Sequence, residues 1–243
     1  MILARPVVSM IRPETVPLWV ETRRVWGQRV FAGKVLAHPV IVESTLHRLA
    51  RSEIPQVAFV GMSNAGKSSL INALVGREIA IASKLPGRTR HLFTFEIGGS
   101  VALVDLPGYG FAKRVDNEVK ESWGRLIRGF FERANKLRRI VLLIDVNEGI
   151  QSEDERFIES LLQVKMICEP QVMCVLTKVD TVSSKNLHNN VLSTLATMSE
   201  WQGRGLTIWP YVHALSAMHS LGVDELKSAI CEVIDPASEP LET

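Results

Sequence analysis

Cysteine is scarce in this chain: Cys168, Cys174 and Cys231 are all there is among 243 residues, and no two form a CxxC pair. So small and odd a set excludes a disulfide-stapled scaffold and reads as buried thiols in a reducing compartment. No apolar run approaches the roughly 18 to 20 residues that a membrane-spanning helix needs. Internal repeats and low-complexity tracts are missing as well. The six histidines (His38, His47, His91, His188, His213 and His219) are scattered without the spacing of a metal site. The five tryptophans (Trp19, Trp26, Trp123, Trp201 and Trp209) read as packing residues. What remains is 46% hydrophobic and 22% charged, which excludes a disordered tail or a collagen-like fibre and suffices for one substantial core.

The net charge of +2 conceals an uneven distribution. Residues 1–54 carry eight lysines and arginines against four acids, and residues 112–139 carry nine against four. The rest of the chain is acidic. Such separation suggests a basic face able to meet nucleic acid or an anionic surface, or the solvated side of a helix.

From Val57 onward short apolar runs alternate with helical periodicities. The runs are 57–60, 92–97, 101–104, 140–145, 172–176 and 206–212. Stripes at spacings of three and four fall on Trp123, Leu126, Ile127, Phe130 and Phe131, and on Phe157, Ile158, Leu161 and Leu162. The alternation predicts an α/β fold with a mostly parallel six-stranded sheet and helices on both faces. Gly98-Gly99-Ser100 joins two runs as a hairpin, so one antiparallel edge strand is expected. The domain is placed at 55–235, with an N-terminal extension over 1–54 and a polar tail over 236–243. The first 35 or so residues are arginine-rich and poor in acids, which fits an organelle transit peptide. A mitochondrial or plastid location follows from that reading. The alternative is a cytoplasmic protein whose extension packs on the domain.

The strongest motif is Gly61-Met62-Ser63-Asn64-Ala65-Gly66-Lys67-Ser68, which satisfies G-x-x-x-x-G-K-[ST] and lies between an apolar strand and an amphipathic helix. Its glycines let the backbone wrap a phosphate chain, with Gly61, Ser63, Asn64, Ala65, Gly66, Ser68 and Ser69 around the nucleotide. Lys67 would bridge the β- and γ-phosphates, and Ser68 would ligate Mg²⁺. Asp105-Leu106-Pro107-Gly108 follows the strand 101–104 about 40 residues later. Asp105 can hold the Mg²⁺ through water, and Gly108 can offer its N–H to the γ-phosphate, making 106–120 a switch segment. Between these elements lies Pro86-Gly87-Arg88-Thr89-Arg90, where Gly87 is a nucleotide contact and Thr89 the candidate to close the Mg²⁺ shell. Thr177-Lys178-Val179-Asp180 fits [NT]-K-x-D. The Asp180 carboxylate can accept from N1–H and the 2-amino group of guanine, donors that adenine lacks. Lys178 would cover the base with its stem, and Ser216-Ala217 would supply a backbone N–H to guanine O6. These motifs together mark a protein that binds GTP and GDP.

The P-loop with Asn64, the PGRT loop, DLPGYGFAK (105–113) and TKVD resemble the EngB (YihA/YsxC) family of TRAFAC-class P-loop GTPases. The resemblance spans about 55–235. It implies GTP hydrolysis at a slow intrinsic rate, Mg²⁺ dependence and a role in assembly of the large ribosomal subunit, by a protein expected to be a monomer. Bacterial members are also linked to cell division and septation, so a GTP-gated binding module in division or signalling is the alternative. Organellar relatives exist in eukaryotes, and the long N-terminal region departs from the compact bacterial form. Met62 and Ala65 stand where the family more often has Arg and Val. Tyr109 occupies the position where many signalling GTPases carry a water-orienting Gln. In this the family looks like hydrophobic-substituted GTPases, some of which use a monovalent cation, which makes Asn64 a candidate K⁺ ligand. Catalysis would then rest on Asn64, Lys67, Thr89 and Gly108. The basic 112–139 region is the candidate contact with rRNA or a ribosomal protein. A P-loop kinase is the remaining rival, and TKVD argues against it.

Overall fold

The computed structural model describes residues 8–10, 24–40, 53–80, 92–110 and 117–234. Its centre is built from strands whose residues are apolar at nearly every position, because both of their faces are covered. These are β3 (Gln56–Gly61), β5 (Val101–Asp105), β6 (Leu137–Asp145) and β7 (Gln171–Thr177). Alternate side chains divide between two cores. Ala58, Val60, Leu142, Ile144, Cys174 and Leu176 face one layer, and Val57, Phe59, Val141, Leu143, Met173 and Val175 face the other. The first layer is closed by α3 (Asn117–Arg133), α4 (Ser152–Gln163) and α5 (Ser184–Gly203). The second is closed by α1 (Arg24–Phe31), α2 (Lys67–Val75) and α6 (Val223–Cys231).

Among the described residues the sheet has eight strands rather than the six expected. Its order is β1-β8-β7-β6-β3-β5-β4-β2, where β1 is Val8–Met10, β2 is Val35–Val40, β4 is Leu92–Ile97 and β8 is Ile208–Ala214. The six expected strands are all present and the centre is parallel. Both edges are antiparallel, however, and both come from the N-terminal region: β1 pairs with β8, and β2 with β4. β4, expected at the edge, is therefore internal. Pro39 within β2 hides this strand from a periodicity reading, yet an edge tolerates it because no outer neighbour needs its missing N–H. The hairpin between β4 and β5 turns at Gly98 (φ 56°) and Gly99 (φ 66°), both in the left-handed region as a tight hairpin requires.

The domain boundary expected at residue 54 thus falls inside the folded unit. Val30 and Phe31 of α1 are buried in the second core, and Gln28 Nε2 donates to Asp224 Oδ2 of α6 at 3.1 Å. Ending a leader near residue 35 would strip these residues from the core. Most of the stretch read as a leader, like the tail at 236–243, lies outside the described residues.

Arg139, counted by sequence in the basic stretch, is corrected to a core residue with 3% exposure. Alternation in β6 turns Leu137 and Arg139 inward and Arg138 outward. The Arg139 guanidinium stacks 3.8 Å over the Trp209 ring and donates to Ala229 O and, at 3.0 Å, to Gln171 Oε1. Trp209 Nε1 donates to His213 Nε2 at 3.2 Å. Burial, reinforced by Arg139, pushes the His213 imidazole down to about 3. The unfolded chain binds that proton below about 6.5. Stability is therefore fully present above that value and is lost as pH falls toward 3, because there the unfolded state binds more protons. Between pH 7 and 5 this group alone removes about 2 kcal/mol. His213→Gln keeps an acceptor for Trp209 and is expected to flatten that part of a urea-midpoint profile against pH. An unchanged profile contradicts the assignment.

Candidate functional site

Four loops converge at the carboxyl ends of the parallel strands, where open α/β sheets place their ligands. The first leaves β3 at Gly61 (φ 152°), passes Asn64 (φ 68°) and enters α2 at Gly66 (φ 92°). Gly61 has no room for a side chain, since a Cβ there would lie 2.6 Å from Leu143 O. Ala65 turns its methyl into the second core, so only its backbone faces the loop. Lys67 Nζ donates to Gly61 O and Met62 O, both at 3.1 Å, which curls the side chain back over its own loop. Burial lowers the Lys67 ammonium below its ordinary range, and the Asp105 carboxylate partly restores it. Asn64 and Ser69 are exposed at the rim, while Ser63 and Ser68 are half-buried.

Asp105 ends β5 opposite Phe59. Burial raises its carboxyl to about 6, against the opposing pull of Lys67 and of the hydrogen bond from Ser68. Lys67, Ser68 and Asp105 thus form one cluster. Its oxygens are one carboxylate and one hydroxyl, a set that suits Mg²⁺ held jointly with substrate phosphates and water. No group of three or more His, Cys, Asp or Glu able to hold a metal occurs among the described residues, and such a shared site does not need one. Gly87 and Thr89 lie outside the described residues.

The chain after Asp105 is laced to the first loop. Leu106 N donates to Phe59 O at 3.1 Å, Tyr109 N to Gly61 O at 3.3 Å, and Ser63 N to Tyr109 O at 3.0 Å. Gly108 sits so near the lysine that a Cβ there would stand 2.8 Å from Lys67 Nζ and 2.9 Å from Ser63 Oγ. The Tyr109 side chain points away from this centre. Its ring stacks on Phe157 of α4 at 5.1 Å and 13°, and its hydroxyl donates to Asp154 Oδ1 at 2.6 Å. The stripe through Phe157 was legible as core, whereas Asp154 carried no sequence signal linking it to Tyr109.

The other side of the cluster is assembled from the loops after β7 and β8. Thr177 Oγ1 donates to Ala65 O at 2.8 Å, which ties this loop to the phosphate loop. Lys178 takes the left-handed conformation (φ 58°) and its Nζ contacts Asp145 Oδ2 at 2.6 Å. Burial alone would raise the Asp145 carboxyl, but hydrogen bonds from Lys178 and Asn147 outweigh it, and the carboxyl is lowered. Asp180 lies in a short 3₁₀ turn, Val179–Thr181, with His219 Nε2 at 3.7 Å from its Oδ2. Val179 N donates to Leu215 O, which holds the Asp180 turn against the loop after β8. There Ser216 N is spent on Leu221 O, so of the pair Ser216-Ala217 it is the Ala217 N–H that can serve a ligand. Asp145, Asn147 and His219 contact these loops and were not picked out from the sequence.

A family model described as a 50S ribosome-binding GTPase matches residues 56–178. The probable GTP-binding protein EngB of Rickettsia africae is 35% identical over 219 residues, covering 89% of this chain and 96% of that protein. A solved structure of a probable GTP-binding protein engB superimposes with a TM-score of 0.53 at 26% identity, covering 73% of this chain and 97% of that one. Era, solved in complex with MgGDPNP and nucleotides 1506–1542 of 16S ribosomal RNA, gives a TM-score of 0.55 at 26% identity. The alignment covers 78% of this chain, which spans 59% of that Era chain.

Proposed function

The chain belongs to the EngB family of P-loop GTPases and hydrolyses GTP, and on that premise we propose that its nucleotide cycle times its binding to a maturing large ribosomal subunit. Lys67 neutralises the β- and γ-phosphates, and the N-terminus of α2 adds its dipole. Ser68 and, through water, Asp105 would hold Mg²⁺, and Thr89 would complete the shell. Held there, Mg²⁺ would supply positive charge to the phosphate oxygens. Gly108 offers its N–H to the γ-phosphate. Asp180 reads the guanine, Lys178 covers it and Ala217 donates to its O6. Asn64, exposed at the rim of the phosphate loop, is the proposed K⁺ ligand, and equal turnover in K⁺ and Na⁺ would remove that role.

The observation that carries the ribosomal reading is the position of exposed positive charge. Arg125, Arg128 and Arg133 lie exposed on α3, with Arg138 at the start of β6. α3 begins seven residues after Gly110, so a partner seated on it would be linked through the intervening chain to the segment that holds Asp105 and Gly108. Phosphate contacts of this kind weaken steeply with salt.

The test is co-sedimentation with ribosomal subunits in GDP and in a non-hydrolysable GTP analogue. Binding to the large subunit is expected with the analogue, to fall at raised salt, and to drop at least tenfold in Arg128→Glu/Arg133→Glu. Absence of binding to any particle in either state would overturn the reading and favour a GTP-gated role in division or septation.

A further inference from the structure

Tyr109 and Asp154 are 45 residues apart in sequence, yet they meet at 2.6 Å. Neither is accounted for by nucleotide chemistry. Asp154 is 2% exposed, and its second oxygen accepts from Gln151 N at 2.8 Å, so the carboxylate is fixed at the first turn of α4. That helix is anchored in turn by Phe157, Ile158 and Leu161 in the first core. On the other side, the Tyr109 backbone is held to the phosphate loop at both its N–H and its carbonyl. The residue after Gly108 is therefore fastened in two directions, to the loop that carries Lys67 and to a rigid helix. The residue two before Gly108, Leu106, is buried in the same core at 1% exposure. Gly108 is a bridge with both ends clamped, standing against the Lys67 ammonium.

We infer that Asp154, through the Tyr109 hydroxyl, is a positioning residue for γ-phosphate recognition: the pair fixes the backbone on which Gly108 presents its N–H. This rests on the reading of Gly108 as the γ-phosphate donor. A donor held in place before the ligand arrives spends little of its interaction on ordering. GDP has no γ-phosphate and is indifferent to the device, so the pair tunes the preference for GTP over GDP and leaves general nucleotide affinity alone. Packing of α4 by itself predicts no such selectivity.

The test compares binding of GDP and a non-hydrolysable GTP analogue to the full chain, by calorimetry, in wild type, Tyr109→Phe, Asp154→Asn and Gly108→Ala. Tyr109→Phe keeps the stack on Phe157 and loses only the hydroxyl. The analogue's affinity is expected to fall roughly three- to tenfold, with that for GDP within twofold of wild type. Asp154→Asn keeps one acceptor for the two donors, Gln151 N and the Tyr109 hydroxyl, and the analogue's affinity is expected to fall between those of wild type and Tyr109→Phe. The double variant Tyr109→Phe/Asp154→Asn should be no worse than Tyr109→Phe alone, as befits one shared bond. Equal losses for both nucleotides, or no loss for either, would overturn the proposal. Gly108→Ala separates the two layers of inference. If it leaves GTP preference intact, the γ-phosphate reading of Gly108 fails; if it abolishes that preference while Tyr109→Phe does not, only the positioning role falls.

Discussion

Asp180→Asn is expected to lower affinity for GTP by roughly 10²- to 10³-fold while leaving the fold intact. A carboxylate presents only acceptors and can take both the N1–H and the 2-amino hydrogens of guanine. An asparagine presents one acceptor and one donor, so an N–H of the side chain confronts an N–H of the base. Each donor left unmet costs about 1–3 kcal/mol, and the charge assistance of the original pair is lost as well. Stability should change little, because the partner seen in the structure is His219 at 3.7 Å, itself largely exposed, and such contacts contribute about 1 kcal/mol at most. The same chemistry predicts a compensating gain. A purine nucleotide with a keto oxygen in place of the 2-amino group offers an acceptor to the asparagine, and xanthosine triphosphate should bind the variant better than GTP does. Competition of GTP, xanthosine triphosphate and ATP against a fluorescent nucleotide reads both effects. If GTP binding stays within threefold of wild type and xanthosine triphosphate shows no gain, Asp180 does not read the base.

That expectation could be framed from sequence because the base loop follows an apolar run bounded on both sides. β3, β5, β6 and β7 were legible for the same reason: strands covered on both faces read as continuous hydrophobic segments, and the loops at their carboxyl ends carry the motifs. The edges obey another logic. β1 is three residues long and β2 contains Pro39, so neither offers a period, and their place was set by pairing with β8 and β4. Arg139 shows how charge counting misleads, since a basic residue at an inward position of β6 finds a carbonyl, an amide and an indole face instead of water. Contacts that span long separations were equally invisible. The Tyr109–Asp154 bond, the Lys178–Asp145 pair and the placing of His219 beside Asp180 depend on which helix and loop the sheet order brings together. Local pattern does not encode that.

Lys67→Ala is expected to reduce GTP turnover by about 10³-fold or more, with affinity for the triphosphate lost alongside it. The size follows from two losses at one centre. The first is the positive charge itself, which Gly61 O and Met62 O hold at 3.1 Å each over the phosphate loop. The second is indirect. Lys67 opposes, together with the hydrogen bond from Ser68, the burial-driven rise of the Asp105 carboxyl, so its removal leaves a buried carboxylate without its counter-charge. Lys67→Arg should not restore activity, because a planar guanidinium is broader than an ammonium and Gly108 already approaches so closely that even a methyl there would stand 2.8 Å from Nζ. Single-turnover phosphate release at saturating Mg²⁺, with melting curves to confirm folding, makes the comparison. Turnover above a tenth of wild type in Lys67→Ala, or near wild type in Lys67→Arg, would show that the charge is needed in neither this amount nor this shape, and the phosphate site would have to be drawn around other groups.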